Sequence, residues 1–339
     1  MKKLCLWVVL IFTLSFVQAQ KVQGKLVRTL PAFSSLNLER GFLGNVIICQ
    51  SPESKLEIAV ESEDHNAEYI ASEVTNGELT LSIKEHPQKS LELKVAYIKI
   101  YSPNFHSVTS MGAGDITIED KLISDNFTLE VSGPGNIQIN ELQMRNNLVI
   151  TTRGARTLNI KKCQANDIVM QLGGAGNLEV GEITGTIPNN KVTINISGVG
   201  NGVLQNISAD KMFLKKNSSG NLALKDVYAN ELRLKNNGAG DVKVSGNVGD
   251  VDIYNDGIGN FNTAGLTAEI ANVVNNSLNV ISLKVQDTAY ISGLITKKNG
   301  VQTQRTAKIS GPAKVFLMIP AIDMETGEET GEKVKVQIK

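Results

Sequence analysis

Tryptophan, cysteine, net charge and helical periodicity are all scarce in this chain, and each shortage removes a class of protein. The only tryptophan is Trp7, so an exported form that has lost its first residues carries none of the usual sugar-stacking indoles. Of three cysteines, Cys5 lies in the same leading stretch, which leaves Cys49 and Cys163, too few for a disulfide framework. Thirty-four basic residues balance thirty-four acidic ones, so there is no field to draw nucleic acid or an anionic membrane. Across residues 111–285 no window of about 12 residues sustains a 3.6-residue apolar period, which argues against helices there. Nucleophile elbows, phosphate loops and dinucleotide fingerprints are also missing.

What is present begins with MKKLCLWVVLIFTLSFVQA: two lysines, an apolar stretch, then small residues before a cut, the pattern of a secretory signal peptide over residues 1–19. The apolar run is shorter than the about 20 residues a spanning helix needs. The expected mature chain starts near Gln20, keeps no integral membrane segment, and resides in the periplasm, at the cell surface or outside the cell. Loss of Lys2 and Lys3 leaves 34 − 2 = 32 basic residues against 34 acidic ones, still near neutrality. No cysteine follows the apolar run, so a lipid anchor is not expected.

The body of the chain repeats itself. MGAGDITI, SGPGNIQI, GGAGNLEV, NGAGDVKV and DGIGNFNT are variants of one octet. With the Asn or Asp after each glycine pair set to zero, the series is Asp115, Asn136, Thr157, Asn177, Asn201, Asn221, Asp241 and Asn260, at intervals near 20. Apolar residues recur nine and seven places before zero (Phe127 and Leu129, Leu148 and Ile150, Ile168 and Met170) and one and three places after it (Ile116 and Ile118, Ile137 and Ile139, Leu158 and Ile160). Both sets step by two, which is strand periodicity. A unit of two short strands meeting at a glycine corner cannot bury its apolar face alone, but stacked copies bury a continuous column. The fold class is therefore all-β: a right-handed parallel β-helix, or β-solenoid, with coils of about 20 residues and caps at both ends. A β-sandwich, the competing arrangement, would not require one residue type at one place in every unit.

Glycine stands three places before zero at Gly112, Gly133, Gly154, Gly174, Gly198, Gly238 and Gly257, and one place before it at Gly114, Gly135, Gly176, Gly200, Gly220, Gly240 and Gly259. Sharp corners need positive φ or close approach of the next coil, and glycine supplies both. Pro134 in the middle of one corner marks that middle as a negative-φ position. The Asn or Asp at zero is expected to bond the turn backbone and its equivalents in neighbouring coils. Arg156 and Thr157 break the rule, which predicts strain or a bulge in that coil. Cys163 falls in the column of Leu142, Ile183, Ile207, Val227 and Leu266, so it reads as a small buried hydrophobe.

Outside the ladder, residues 20–110 read as a β-rich cap, with strands at 44–50, 55–61, 77–83 and 93–101 and a short helix within 63–74. The regular coils span 111–285. Residues 286–339 read as closing strands, with KVKVQIK forming a hairpin that charges the exposed edge.

The opening LPAFSSLNLERGFLGNVIICQ, the segment ASEVTNGELTLSI, and IKIYSPNFHSVTSMGAGDI leading into the glycine corners resemble the auto-transporter adhesin, head GIN domain family of exported bacterial proteins, over about residues 27–225. The resemblance implies a β-helical surface or periplasmic protein of Bacteroidetes-like bacteria. It supplies no catalytic residue to carry over.

Three chemistries were weighed on the residues. GGAGN is similar to a calcium nonapeptide, but that motif repeats aspartate every nine residues, whereas position zero here is aspartate only at Asp115 and Asp241, six coils or about 29 Å apart. His65, His86 and His106 lack the spacing and fourth ligand of a zinc site. No metal or cofactor is expected. Polysaccharide lyases and hydrolases on β-helices cluster carboxylates and cations on one outward face, and the nearest candidate patch is Arg233, Lys235, Asp250, Asp252, Tyr254 and Asp256. The expected function is a non-enzymatic, adhesin-like binding or structural protein contacting glycans, matrix or envelope proteins. The alternative is a polyuronide lyase or hydrolase using that patch.

Overall fold

The computed structural model describes residues 24–60, 66–84, 95–186, 188–277, 279–293, 295–298, 301–304, 307–322 and 329–338. Strands stack in parallel as a β-solenoid of about nine turns. One inward file runs Ile116, Ile137, Leu158, Leu178, Gly202, Leu222, Val242, Phe261. A second runs Leu129, Ile150, Met170, Ile194, Leu214, Leu234, Ile253. A third runs Leu122, Leu142, Cys163, Ile183, Ile207, Val227. The apolar members of all three are buried. A coil is more continuous than two short strands: Gly202–Lys216, Leu222–Asn236 and Phe261–Asn275 each run almost the whole circuit, broken only at the glycine corner. Cys163 is fully buried, and that burial pushes its thiol up to about 12, so it packs as a hydrophobe.

The glycine corner rests on an exchange of hydrogen bonds. At position zero the backbone N–H donates to a side chain of the preceding coil: Asp115 to Asn45 Oδ1 (3.1 Å), Asn136 to Asp115 Oδ1 (2.7 Å), Asn201 to Asn177 Oδ1 (3.0 Å), Asn221 to Asn201 Oδ1 (2.9 Å), Asp241 to Asn221 Oδ1 (2.8 Å) and Asn260 to Asp241 Oδ1 (2.8 Å). Only an acceptor oxygen is required, which is why Asn and Asp interchange there. The carbonyl one place earlier is released from that N–H and points at the next coil's Cα. A Cβ at Gly200 would overlap Gly176 O, and one at Gly220 would overlap Gly200 O. Gly200 also has φ +150°. Close approach between coils is thus the first reason for glycine, and left-handed backbone the second.

Two places before zero the backbone N–H reaches the carbonyl three places before zero in the preceding coil: Ala113 to Phe42, Ala175 to Gly154, Val199 to Gly174, Ser219 to Gly198 and Ile258 to Gly238. Pro134 has no N–H to give. The Gly112 carbonyl it would have served instead receives Arg156 Nη2 at 2.9 Å, while Arg156 Nη1 reaches Gly114 O at 3.0 Å and Nε reaches Gly133 O. Arg156 is buried, pairs in continuous register with Gly135, and is not among the positive-φ residues. The expected strain or bulge is therefore corrected: the guanidinium fills the space left by the glycines and takes up their carbonyls. Lys216, fully buried, does the same farther along, donating to Ser218 O (2.9 Å) and Ala239 O.

Lys216 belongs to a fourth inward file, five places before zero, that changes character along the rod. Val131, Thr152, Leu172 and Ile196 give way to Lys216, Asn236, Asn255 and Asn275. The three asparagines are buried and linked, Asn236 Nδ2 to Asn255 Oδ1 at 2.8 Å and Asn255 Nδ2 to Asn275 Oδ1 at 2.9 Å. Asn275 Nδ2 donates to Asn279 O at 2.7 Å. Their oxygens also accept the backbone N–H groups of Gly238, Gly257 and Ser277, so the buried amides are satisfied.

At the amino-terminal end, Ser35–Leu38 pairs with Ser107–Ser110, and Val46–Gln50 pairs with Ile116–Val131, all in parallel. Residues 35–50 are therefore a coil in themselves, with a corner at Gly44 and Asn45, and residues 51–106 are an excursion. That excursion lays Glu78–Ile83 and Val95–Ser102 in parallel on Ser35–Leu38 and Val46–Gln50, and then closes the end through antiparallel pairs, Lys55–Val60 with Val95–Ser102 and Gly24–Thr29 with Lys55–Val60. The short helix expected within 63–74 is corrected. Asn66–Tyr69 makes one 3-10 turn and Ile70–Thr75 is a strand paired with Glu78–Ile83 through an Asn76-Gly77 hairpin, φ 52° and 78°. Residues 61–65 lie outside the described residues. At the other end Glu329–Gln337 runs antiparallel to Lys314–Ile322 and places Lys333 and Lys335 on the edge. Part of the acidic loop, 323–328, lies outside the described residues, as do residues 1–23.

Two measurements test the corner. Gly200→Ala should lower stability by about 2 kcal/mol or more, whereas Val199→Ala beside it, at a tip that is 64% exposed, should cost under about 0.5 kcal/mol; equal shifts in denaturation midpoint would refute the close-approach argument. Arg156→Ala should cost about 3 kcal/mol, and about 1 kcal/mol less in a Pro134→Ala background, where the restored N–H can serve Gly112. Strictly additive effects in that double-mutant cycle would show the two residues to be uncoupled.

Candidate functional site

The strands that lead into the corner present two outward files to solvent. The first runs Thr193, Phe213, Arg233, Asp252, Asn272, Tyr290, Phe316, and the second runs Asn195, Lys215, Lys235, Tyr254, Val274. Period-two alternation fixes this arrangement, because Leu214, Leu234 and Ile253 between them point into the core. Asn195, Phe213, Lys215, Arg233, Lys235, Asp252 and Tyr254 line a groove of about 270 Å³.

Four of the six residues singled out from sequence meet in this groove: Arg233, Lys235, Asp252 and Tyr254. Asp250 and Asp256 do not line it. Asp250 is the register partner of Glu231 at the groove's margin, and Asp256 stands at the corner, where it accepts Asn276 Nδ2 at 2.6 Å. Sequence reading missed Phe213 and Lys215 as groove residues. The signal was there in the same step-by-two alternation, one coil before Arg233 and Lys235.

The electrostatics separate the groove's charges into matched and unmatched sets. Arg233 Nη2 lies 2.5 Å from Glu231 and its Nε lies 3.3 Å from Asp252, while Lys211 lies 3.7 Å from Glu231. Cations sit over the rings: Lys191 and Arg233 over Phe213 at 4.8 and 5.2 Å, and Lys235 over Tyr254 at 4.8 Å. Asp256 accepts from the Tyr254 phenol and holds its pKa above the usual value, through that hydrogen bond first and its charge second. Asp252 is 49% exposed and ion-paired.

The six-residue patch aside, the corner residues Gly133, Gly135, Gly174, Gly176, Gly198, Gly200, Gly238, Gly240, Gly257 and Gly259 stack along one edge of the rod. Asp115 and Asp241, the two carboxylates at position zero, each spend an oxygen on a backbone N–H. His106 is exposed, and His65 and His86 lie outside the described residues. No helix of the described residues is long and apolar enough to cross a membrane.

Removing Asp256 should be visible at Tyr254. In Asp256→Asn the Tyr254 phenol should titrate at lower pH than in the parent, followed by NMR on ring-labelled protein with Tyr254→Phe for assignment. An unchanged midpoint would mean that the two side chains do not interact.

A family model described as "Putative auto-transporter adhesin, head GIN domain" matches residues 32–204 and 186–294, and the chain belongs to that family. Among solved structures it is similar to a "putative adhesin" from Bacteroides fragilis NCTC 9343, with 19% identity, 86% of this chain and 97% of that chain covered, and a TM-score of 0.39. A "putative adhesin" from Parabacteroides distasonis ATCC 8503 gives 16% identity, 86% and 95% coverage and a TM-score of 0.36. A "Putative lipid binding protein" from the same organism gives 14%, 87%, 94% and 0.29. No curated protein matches the chain.

Proposed function

We propose that this member of the head GIN domain family is a non-enzymatic, exported binding protein. Its solenoid holds outward files of side chains in fixed register for contact with glycans, matrix or other envelope proteins. One observation carries the reading: in the groove formed by Phe213, Lys215, Arg233, Lys235 and Tyr254, the one lining carboxylate, Asp252, is tied to Arg233 in solvent. Aromatic rings and cations on a rigid sheet face suit recognition. A hydrolase or lyase at the same place would need a carboxylate free to move protons, and two or three of them converging on one bond.

The leading residues support export, since their pattern is that of a signal peptide. The expected partners exclude nucleic acid because the chain has no net charge to concentrate it.

A screen of the purified protein against glycans and matrix proteins should return a binder. Incubation with polygalacturonate should release neither unsaturated nor reducing ends. Product formation that Asp252→Asn abolishes would replace this reading with the enzymatic one.

A further inference from the structure

We infer that the groove between Phe213 and Tyr254 is a subsite for an acidic polysaccharide, with anionic groups of successive sugars on Lys215 and Lys235 and sugar rings against the two aromatics. The inference rests on the binding-protein reading and deepens it by naming the ligand class.

On several pairs of neighbouring coils, opposite charges are matched. Lys99 meets Glu119 at 3.0 Å, Lys121 meets Glu141 at 2.9 Å, Arg145 meets Asp125 at 2.7 Å, and Lys162 meets Glu182 at 3.0 Å. Lys211 and Glu231, register partners, meet at 3.7 Å on the face that carries the groove. Lys215 and Lys235 depart from this pattern. They are register partners on adjacent coils, about 4.8 Å apart along the file, both exposed, and neither has an ion-pair partner among the described residues. Like charges directly opposite each other on a sheet repel. An anion lying between them removes the repulsion and supplies the counter-charge that Lys99, Lys121, Arg145 and Lys162 each find on a neighbouring coil.

The surroundings select the kind of anion. Phe213 and Tyr254 flank the lysines two coils apart; cations already lie over each ring, Lys191 and Arg233 over Phe213 and Lys235 over Tyr254, and the ring surface they leave uncovered suits the C–H faces of sugar rings. Asn195 and the Tyr254 hydroxyl add neutral hydrogen-bonding groups. Parallel coils rise by about 4.8 Å each, close to the length of one pyranose unit in an extended chain. A polysaccharide along the rod axis would therefore meet one coil per sugar. A lipid surface suits the site less well, because a broad layer of anionic headgroups would also cover Glu231 and Asp250, whereas a single chain can follow the Lys215–Lys235 file and leave them uncovered.

Binding of the purified protein to polygalacturonate, dextran sulfate, neutral dextran, and vesicles of phosphatidylglycerol in phosphatidylcholine tests the inference. The protein should bind at least one acidic polymer more tightly than dextran, with affinity falling as salt rises. Lys215→Gln with Lys235→Gln should weaken that binding by about tenfold or more, as loss of two charge contacts implies. Tyr254→Ala should weaken it while leaving the salt dependence intact, and Lys225→Gln with Lys243→Gln, on a different face, should change nothing. The inference is overturned if neither acidic polymer binds, if the control pair weakens binding as much as the groove pair, or if the anionic vesicles are preferred. Binding of a neutral glycan or a matrix protein that survives the groove pair would overturn it too, yet leave the binding-protein reading in place.

Discussion

A single exchange of hydrogen bonds at the corner governs the rest of the molecule. Because the zero-position side chain captures the next coil's N–H, the preceding carbonyl is turned towards the next coil's Cα. Glycine must then occupy that Cα, and the coils can approach closely enough for a parallel ladder on both sides. Remove the acceptor and the N–H is orphaned; remove the glycine and the carbonyl has nowhere to point. The two halves of the Gly-Asn motif are one device, which explains why they recur together at Gly176 with Asn177, Gly200 with Asn201, Gly220 with Asn221 and Gly240 with Asp241.

Departures from the repeat come in compensating sets. Pro134 withdraws a donor and Arg156, one coil later, returns three. Burial lowers the pKa of Arg156, with Asp115 opposing, yet a guanidinium stays charged through any ordinary pH, so its grip on the carbonyl column is not pH-sensitive. Burial lowers the pKa of Lys216 likewise, against the pull of Asp241. For a lysine whose folded pKa lies below its unfolded value, the charged form is the disfavoured one in the fold, so its contribution to stability grows as pH rises towards the ordinary lysine range. The interior asparagine file from Asn236 to Asn275 follows the same logic. A polar file inside a solenoid is tolerable because each amide finds its like one coil away, where the repeat has already placed it.

The fold was legible because a solenoid writes its geometry into the sequence at a fixed interval: the inward files of Leu129, Ile150 and Met170 and the burial of Cys163 follow from counting alone. Three things escaped. The first coil, residues 35–50, is separated from its successor by the excursion 51–106, so no interval of 20 joins Asn45 to Asp115. The strand Ile70–Thr75 leads into an Asn76-Gly77 hairpin signal that a short helix within 63–74 leaves unused. The fourth inward file was hidden because Lys216 and Asn236 are polar, and alternation is usually followed only while it stays apolar. The site was half legible: Arg233, Lys235, Asp252 and Tyr254 were found as a charge cluster, while Phe213 and Lys215 needed the outward register to be followed one coil back.

The residues that hold the fold and those proposed to bind occupy different files of the same coil, which lets them vary independently. A substitution at Gly200 or Asn236 touches the corner or the interior, where a lost contact is repeated in neither direction. A substitution at Lys215 or Lys235 touches a side chain in water, where two like charges cost no more than about 1 kcal/mol. An outward file can therefore keep an unmatched pair that the corner could not hold. Because coils are stacked in register, such a pair is displayed at the spacing of the strands themselves, and the backbone ladder that holds the molecule together also sets the distance between the two ammonium-bearing side chains.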